Sequence, residues 1–200
     1  MAESFNFDSL DIVLPKRQAQ SHKGLYGRVA VIAGSKGMGG AGILASEASL
    51  FCGSGLVSLY THSSNAQASL QRNPEIMTLG VDSHENISGD FDVILIGPGF
   101  SDNKWSKELS ECISLDAPYG LIIDAGALTY TKKIQSQNNK NLILTPHPGE
   151  AAALLGVSAD EIQLNREDNA IDIAKKYNAS AVVLKGHNTL VYINLSLIHI

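Results

Sequence analysis

The chain has 200 residues, 44% of them hydrophobic and 18% charged, with a formal net charge of -5. That suits one globular domain with a sizeable core and argues against a surface built for nucleic acid or anionic lipid, which gathers surplus Lys and Arg. No apolar run approaches the ~20 residues of a membrane-spanning helix, and MAESFNFDSLDIVLPKR has the pattern of neither a signal nor a transit peptide, so a cytoplasmic location is expected.

After a polar lead-in ending near Gly24, β-branched apolar runs alternate with helical patterns, as in a largely parallel sheet with helices on its faces. A strand is expected at RVAVIA (28–33) and a helix over GILASEASLFC (42–52). GLVSLYT (55–61) and DVILIG (92–97) are the next strands, followed by a helix over NKWSKELSECISL (103–115). GLIIDA (120–125) and NLILT (141–145) continue the sheet, and GEAAALLG (149–156) and ADEIQLNREDNAIDIAKKY (159–177) read as helices. In the longer one Ile162, Asn169, Ile173 and Tyr177 lie near a 3.6 period, a mixed set that leaves its inner face open. SAVVLKG (180–186) is a strand, with a shorter one, LVYI, after it. The charged stretches KELSE and NREDN read as solvated helix faces. Cys52 and Cys112 lack metal-like spacing and are expected to be buried free thiols.

Such sheets bind ligands beyond the carboxyl ends of their strands, and the distinctive residues gather there. AGSKGMGGAG (33–42), GPGF (97–100), DAGAL (124–128), TPHPGE (145–150) and KGHNT (185–189) each follow a strand, so one site built from five loops is expected. GMGGAG satisfies G-x-G-x-x-G, yet LYTHSSNAQA offers no acidic residue where a dinucleotide ribose would need one, which disfavours a hydride-transferring domain. The glycines then serve a ligand-approaching loop or a tight turn. GPGF can present bare amides to a ligand or simply reverse the chain. Asp124, ending an apolar strand, is a helix N-cap or a polar anchor.

In TPHPGE, Pro146 and Pro148 stiffen the backbone around His147. The first-turn amides beyond it would be free for an anion, with Glu150 favouring the dipole or holding a metal ion. The plainer alternative is a proline-stiffened helix start. Lys185 and Thr189 in KGHNT could meet a phosphate, the alternative being a solvated turn.

The ordered series SHKGLYGRVAVIAGS, the glycines of 39–42, GSGLVSLYT, RNPEIMT, IGPGF, LTPHPGEAAALLG and VVLKGHNTLVY resembles the NAD(P)H-hydrate dehydratase family of the ribokinase-like superfamily, from about Leu14 to Tyr192. The resemblance implies a three-layer α/β/α fold around a largely parallel sheet. It also implies repair of hydrated NADH and NADPH with ADP or ATP and Mg2+, the hydroxyl being phosphorylated so that phosphate can leave. Carried over, it implies that Ala41, Gly99 and His147 contact the hydrated nicotinamide nucleotide, and that Lys185, Gly186, His187, Asn188 and Thr189 line the adenine nucleotide site. Glu150 falls where related kinases hold a carboxylate near magnesium and phosphate, and relatives tend to form homo-oligomers. Readings with the same fold are a vitamin-precursor or sugar kinase and a catalytically silent nucleotide-binding protein.

Two departures stand out. DAGAL has Gly126 where the family carries a second acidic residue. The family's glycine-rich segment with its general-base aspartate has no counterpart, which predicts an inactive, C-terminally incomplete domain over residues 1–194. The closing LSLIHI matches the in-frame translation of a transposase-type sequencing adaptor, so Leu195–Ile200 are expected to be non-native, a real short strand being the alternative.

Overall fold

The computed structural model describes residues 3–4, 16–114, 119–136, 141–193 and 196–199. The first central strand, Arg28–Ile32 (β2), lies between Leu56–Thr61 (β3) and Val93–Ile96 (β5), both parallel to it. Outward from β3 lies Met77–Gly80 (β4). Outward from β5 come Gly120–Ile123 (β6), Leu142–Leu144 (β7) and Ala181–Leu184 (β8), again parallel. Leu190–Ile193 (β9) and Ser196–His199 (β10) then turn antiparallel, and Glu3–Ser4 (β1) pairs with β10 at the edge. The six strands expected from 28–33 to 180–186 all form, each trimmed by one or two residues at its ends. LSLIHI supplies β10, whose four residues pair with β9.

Helices lie on both faces, which is the layered α/β arrangement expected. Gly39–Phe51 (α1) covers one face through Ile43, packed with Val31, Ala33, Val57, Leu59 and Ile76. Gly42 permits that approach, since a Cβ there would lie 3.1 Å from Leu59 Cδ1 and 3.3 Å from the Ala33 Cβ. Ala66–Arg72 (α2) follows β3, and its Arg72 grips the buried Glu47 of α1 in a two-pronged ion pair at 2.9 and 3.0 Å.

The other face carries Lys104–Leu109 (α3), Pro148–Leu155 (α4), Ala159–Leu164 (α5) and Arg166–Tyr177 (α6), together with the 3-10 segment Ala125–Ser136. Beneath them Ile32, Ile94, Ile96, Leu121, Ile123, Leu142, Leu144, Val182 and Leu184 are essentially inaccessible. Each such side chain contributes about 1.5–3 kcal/mol by leaving water. The alternate residues Ile122, Ile143, Val183 and Val191 are only half-buried, so the two faces differ in depth of cover.

Three expectations change. The helix expected over 159–177 breaks at Asn165, whose φ of -133° and ψ of 53° end α5 and admit α6 at a new angle. Ile162, Ile173 and Tyr177 do face inward, joined by Ala170 and Ala174. The helix over 103–115 is α for six residues and then 3-10 over Ser110–Ser114; residue 115 lies outside the described residues. Cys52, at the C-cap of α1, is exposed, while Cys112 is buried as expected. Burial pushes the Cys112 thiol up to about 12. Iodoacetamide under native conditions should therefore alkylate Cys52 and spare Cys112; peptide mass mapping reads the outcome. Among the described residues no helix is long and apolar enough to cross a membrane.

Candidate functional site

The five distinctive loops follow β2, β5, β6, β7 and β8, which are consecutive neighbours in the sheet. Backbone hydrogen bonds tie each loop to the neighbouring loop or to the last residue of the neighbouring strand. Gly34 N–H donates to Pro98 O at 2.9 Å and Ser35 N–H to Gly99 O at 3.0 Å. Asp124 N–H donates to Ile96 O at 3.0 Å, Thr145 N–H to Ile123 O at 3.2 Å and Lys185 N–H to Pro146 O at 2.9 Å. One continuous rim results, running from Gly34 to Lys185.

At the β2 end Ala41 and Gly99 meet. Gly99 has φ +69°, and a Cβ on it would fall 2.8 Å from Met38 O and 2.9 Å from the Ala41 Cβ. The glycine loop is braced from beneath by Asn65, whose Nδ2 donates to Gly34 O at 2.8 Å, Ser35 O at 3.2 Å and Thr61 Oγ1 at 3.1 Å. Ser35 Oγ accepts from Ser101 N–H at 3.1 Å and pairs with Ser106 Oγ at 2.9 Å, so the two loops move as one piece. Asn65 carries no sequence signal for this role; it lies in LYTHSSNAQA, where a dinucleotide site would need an acidic residue, and holds the glycines instead.

In the middle of the rim Asp124 is the polar anchor of the two readings offered for it. Its Oδ1 accepts from Lys185 Nζ at 2.6 Å and from Thr145 Oγ1 at 2.7 Å. Lys185 Nζ also lies 3.8 Å from Glu150 Oε2. Two carboxylates thus flank one ammonium, leaving a net charge of about -1 around the lysine that could meet a phosphate.

Gly126 sits against the GPGF loop: a Cβ there would be 2.6 Å from Phe100 O and 2.8 Å from Phe100 Cβ. The backbone volume of Phe100 occupies the space an acidic side chain at 126 would need. Gly126→Asp should accordingly lower stability by about 1–3 kcal/mol, read as a fall in urea midpoint; an unchanged midpoint would mean that the loop yields freely.

His147 caps α4. Its Nδ1 accepts from the N–H groups of Gly149 at 3.0 Å and Glu150 at 3.2 Å, while Glu150 Oε2 accepts from His147 N–H at 2.7 Å. This reciprocal box consumes the first-turn amides, so they are not free for an anion as expected; the imidazole itself takes the place of the ligand. With Nδ1 an acceptor, the neutral ring carries its proton on Nε2, which lies 3.3 Å from Glu150 Oε1. The imidazole remains more than half exposed above the cap.

A cavity of about 350 Å³ opens beside it, walled by Leu128, Thr131, Ala153, Leu154 and Tyr177, with His147 and Glu150 at its mouth. Tyr177 donates to Leu154 O at 3.1 Å, and burial raises its pKa.

In the β8–β9 turn Gly186, His187 and Asn188 are exposed. Thr189 Oγ1 donates to Gly186 O at 3.1 Å, so this hydroxyl serves the turn and is not the free donor expected. Arg166, read from NREDN as part of a solvated face, is partly buried and donates to Leu184 O at 2.9 Å, Lys185 O at 3.5 Å and Asn188 O at 3.4 Å. Of the residues proposed from sequence, the structure joins Ala41 with Gly99 and links Lys185 with Asp124 and, through Glu150, with His147.

Residues 29–200 match the family model described as NAD(P)H-hydrate dehydratase. The bifunctional NAD(P)H-hydrate repair enzyme of Coxiella burnetii is 38% identical over 183 residues, which cover 90% of this chain and 37% of that protein. The chain therefore spans little more than a third of the length of this curated relative. A ribokinase-like superfamily protein of Enterococcus faecalis superposes with a TM-score of 0.85 at 27% identity, covering 99% of this chain and 71% of that one. The ADP/ATP-dependent NAD(P)H-hydrate dehydratase of Bacillus subtilis, co-crystallized with ATP and Mg2+, gives 0.80 at 30% identity, covering 93% and 68%.

Proposed function

Since the chain belongs to the NAD(P)H-hydrate dehydratase family, we propose that the complete protein acts as a nucleotide-repair lyase, returning hydrated NADH and NADPH to NADH and NADPH with ADP or ATP as phosphoryl donor. The observation that carries this reading is the laced rim. Along it, at the carboxyl ends of neighbouring strands, lie the close contact of Ala41 with Gly99, the exposed imidazole of His147 and the cation of Lys185, which support this reading.

In this reading the hydrated nicotinamide nucleotide lies against Ala41, Gly99 and His147, with the bare backbone of Gly99 letting the Met38–Ala41 segment close on the GPGF loop. The adenine nucleotide lies along Lys185, Gly186, His187, Asn188 and Thr189. Hydroxide is a poor leaving group, so the hydroxyl oxygen attacks the terminal phosphorus of the donor, giving up its proton, while the bridging P–O bond breaks. The C–O bond then breaks, phosphate departs, and loss of a proton from the ring restores the double bond. His147 Nε2–H, 3.3 Å from Glu150 Oε1, would turn its hydrogen bond to the substrate and orient it. Lys185 stabilises charge on the transferring group as Asp124 holds it in place.

Among the described residues no three His, Cys, Asp or Glu side chains converge on a metal position. Magnesium travelling with a nucleotide needs only one or two protein carboxylates beside the phosphates, and Asp124 and Glu150 meet that need. Bound there, it would neutralise charge on the transferring phosphoryl group.

His147→Asn should keep the helix cap, because an amide oxygen at the N-cap can accept from the same N–H groups. His147→Ala should lose about 1 kcal/mol of stability. Both should raise KM for the hydrated nucleotide, and a normal KM in the folded Asn variant would remove His147 from the substrate contact.

A cytoplasmic location and homo-oligomeric assembly belong to the same proposal; the apolar Leu44 and Phe51, exposed on α1, support the latter. So does the assignment of residues 1–194 to the dehydratase domain and of Leu195–Ile200 to an adaptor; a genuine stop codon directly after Ile200 in the genome would count against it. The function is tested on the product of the complete genomic reading frame. Absorbance at 340 nm should rise from hydrated NADH only when ADP or ATP is present. Phosphorylation of a sugar or vitamin precursor with no such rise would instead favour the kinase reading.

A further inference from the structure

Arg166 opens α6, far in sequence from the β8–β9 turn, yet its guanidinium is committed to that turn. Nη2 reaches the carbonyls of Leu184 at 2.9 Å, Asn188 at 3.4 Å and Lys185 at 3.5 Å, while Nη1 is steadied by Gln163 Oε1 at 3.0 Å. The guanidinium lies on the bare face of Gly186, where a Cβ would come within 3.2 Å of Nη1. Gly186 at φ +141° and Asn188 at φ +56° both hold conformations that an ordinary side chain disfavours. Glycine and asparagine are the residues that accept such conformations, so the turn forms locally with Thr189 Oγ1 closing it on Gly186 O, and Arg166 adds a tie from outside that fixes the direction of its carbonyls.

A trans peptide is planar, so the C=O of one residue and the N–H of the next point in opposite directions. Three carbonyls gathered on one cation therefore dictate where three amides point. The first is accounted for: Leu184 C=O faces Arg166, and Lys185 N–H on the far side donates to Pro146 O at 2.9 Å. By the same rule the N–H groups of Gly186 and Thr189 are turned away from Arg166.

We propose that Arg166 is a positioning residue for nucleotide binding, which by holding the carbonyls of Lys185 and Asn188 aims the N–H groups of Gly186 and Thr189 at an anionic or acceptor group of the adenine nucleotide. This rests on the nucleotide reading of the 185–189 turn. It deepens that reading by assigning the turn's competence to a residue outside it that touches no ligand. Gln163 is the support of that residue in turn.

The test compares the native protein with Arg166→Gln and Arg166→Lys, using ADP and ATP in isothermal titration and separate KM values for nucleotide and hydrated NADH. Arg166→Gln should raise the nucleotide Kd about tenfold, while KM for hydrated NADH stays within about twofold. Arg166→Lys keeps the charge but loses the second nitrogen that Gln163 Oε1 steadies, so its donor is less well fixed and it should fall between the two. Amide resonances of Gly186 and Thr189 should shift in both variants. Nucleotide affinity unchanged in a folded Gln or Lys variant, or both KM values rising together, would overturn the assignment; if Arg166→Gln does not fold, the Lys variant decides alone. Failure of the native protein to bind either nucleotide would instead overturn the nucleotide reading on which the assignment stands.

Discussion

Replacing Lys185 by alanine should cut nucleotide-dependent turnover by about 10²-fold or more, with a far smaller effect on folding. The ammonium lies 2.6 Å from Asp124 Oδ1 and 3.8 Å from Glu150 Oε2, and it is the one cation seen between those carboxylates among the described residues. Without it two like charges face the space a phosphate would enter, and the net charge of the cluster goes from about -1 to about -2. The groups remain partly solvated, at 39%, 26% and 19% side-chain exposure for Lys185, Asp124 and Glu150. Stability should therefore fall by only about 1 kcal/mol, toward the low end for a hydrogen-bonded charge pair. Steady-state kinetics with ADP and ATP, set beside a thermal melt, separate the two effects. Turnover preserved in the alanine variant would reduce Lys185 to a structural counter-ion of Asp124.

The second large effect is expected at Gly97, where Gly97→Ala should destabilise the protein by about 3 kcal/mol or more, combining backbone strain with overpacking against main-chain atoms. Gly97 has φ +116°, and a Cβ would meet Asp124 O and lie 2.6 Å from the Ala127 Cβ. Neither neighbour can rotate aside, since Asp124 is tied into the rim through its N–H and its carboxylate. Gly37 provides the internal control. Its φ is +83° but nothing lies within 4 Å of an added Cβ, so Gly37→Ala should cost only the conformational ~1–2 kcal/mol. Urea midpoints of the two variants would isolate the steric part, and equal losses would show that close approach at Gly97 contributes nothing.

Local pattern was enough to place most of the fold. DVILIG and GLIIDA sit in the middle of the sheet, and a strand flanked on both sides reads as an unbroken β-branched run. At the sheet margin the pattern weakens: Met77–Gly80 leaves Met77 and Leu79 exposed and follows Asn73-Pro74-Glu75, so it carries no such signature. The seven-residue α2 is too short to show a helical period.

At the site, the loops were legible because glycine and proline mark them, but the pairings between them were not. Lys185 and Asp124 are 61 positions apart, and Arg166 and Asn188 are 22 apart. Spacing carries no information on contacts made by tertiary folding. His147 failed for a different reason. Its flanking prolines predicted a stiff helix start correctly, whereas an imidazole is not among the preferred N-caps, so its use of Nδ1 to satisfy two amides could be seen only in the structure.

The most direct test of a dehydratase that works through phosphoryl transfer is the ratio of inorganic phosphate released to NADH formed, measured on hydrated NADH with ATP. The reaction drawn from the rim predicts one phosphate for each NADH, with ADP as the other product and none of either without nucleotide. NADH formed with no phosphate released, or phosphate released with no NADH formed, would contradict it.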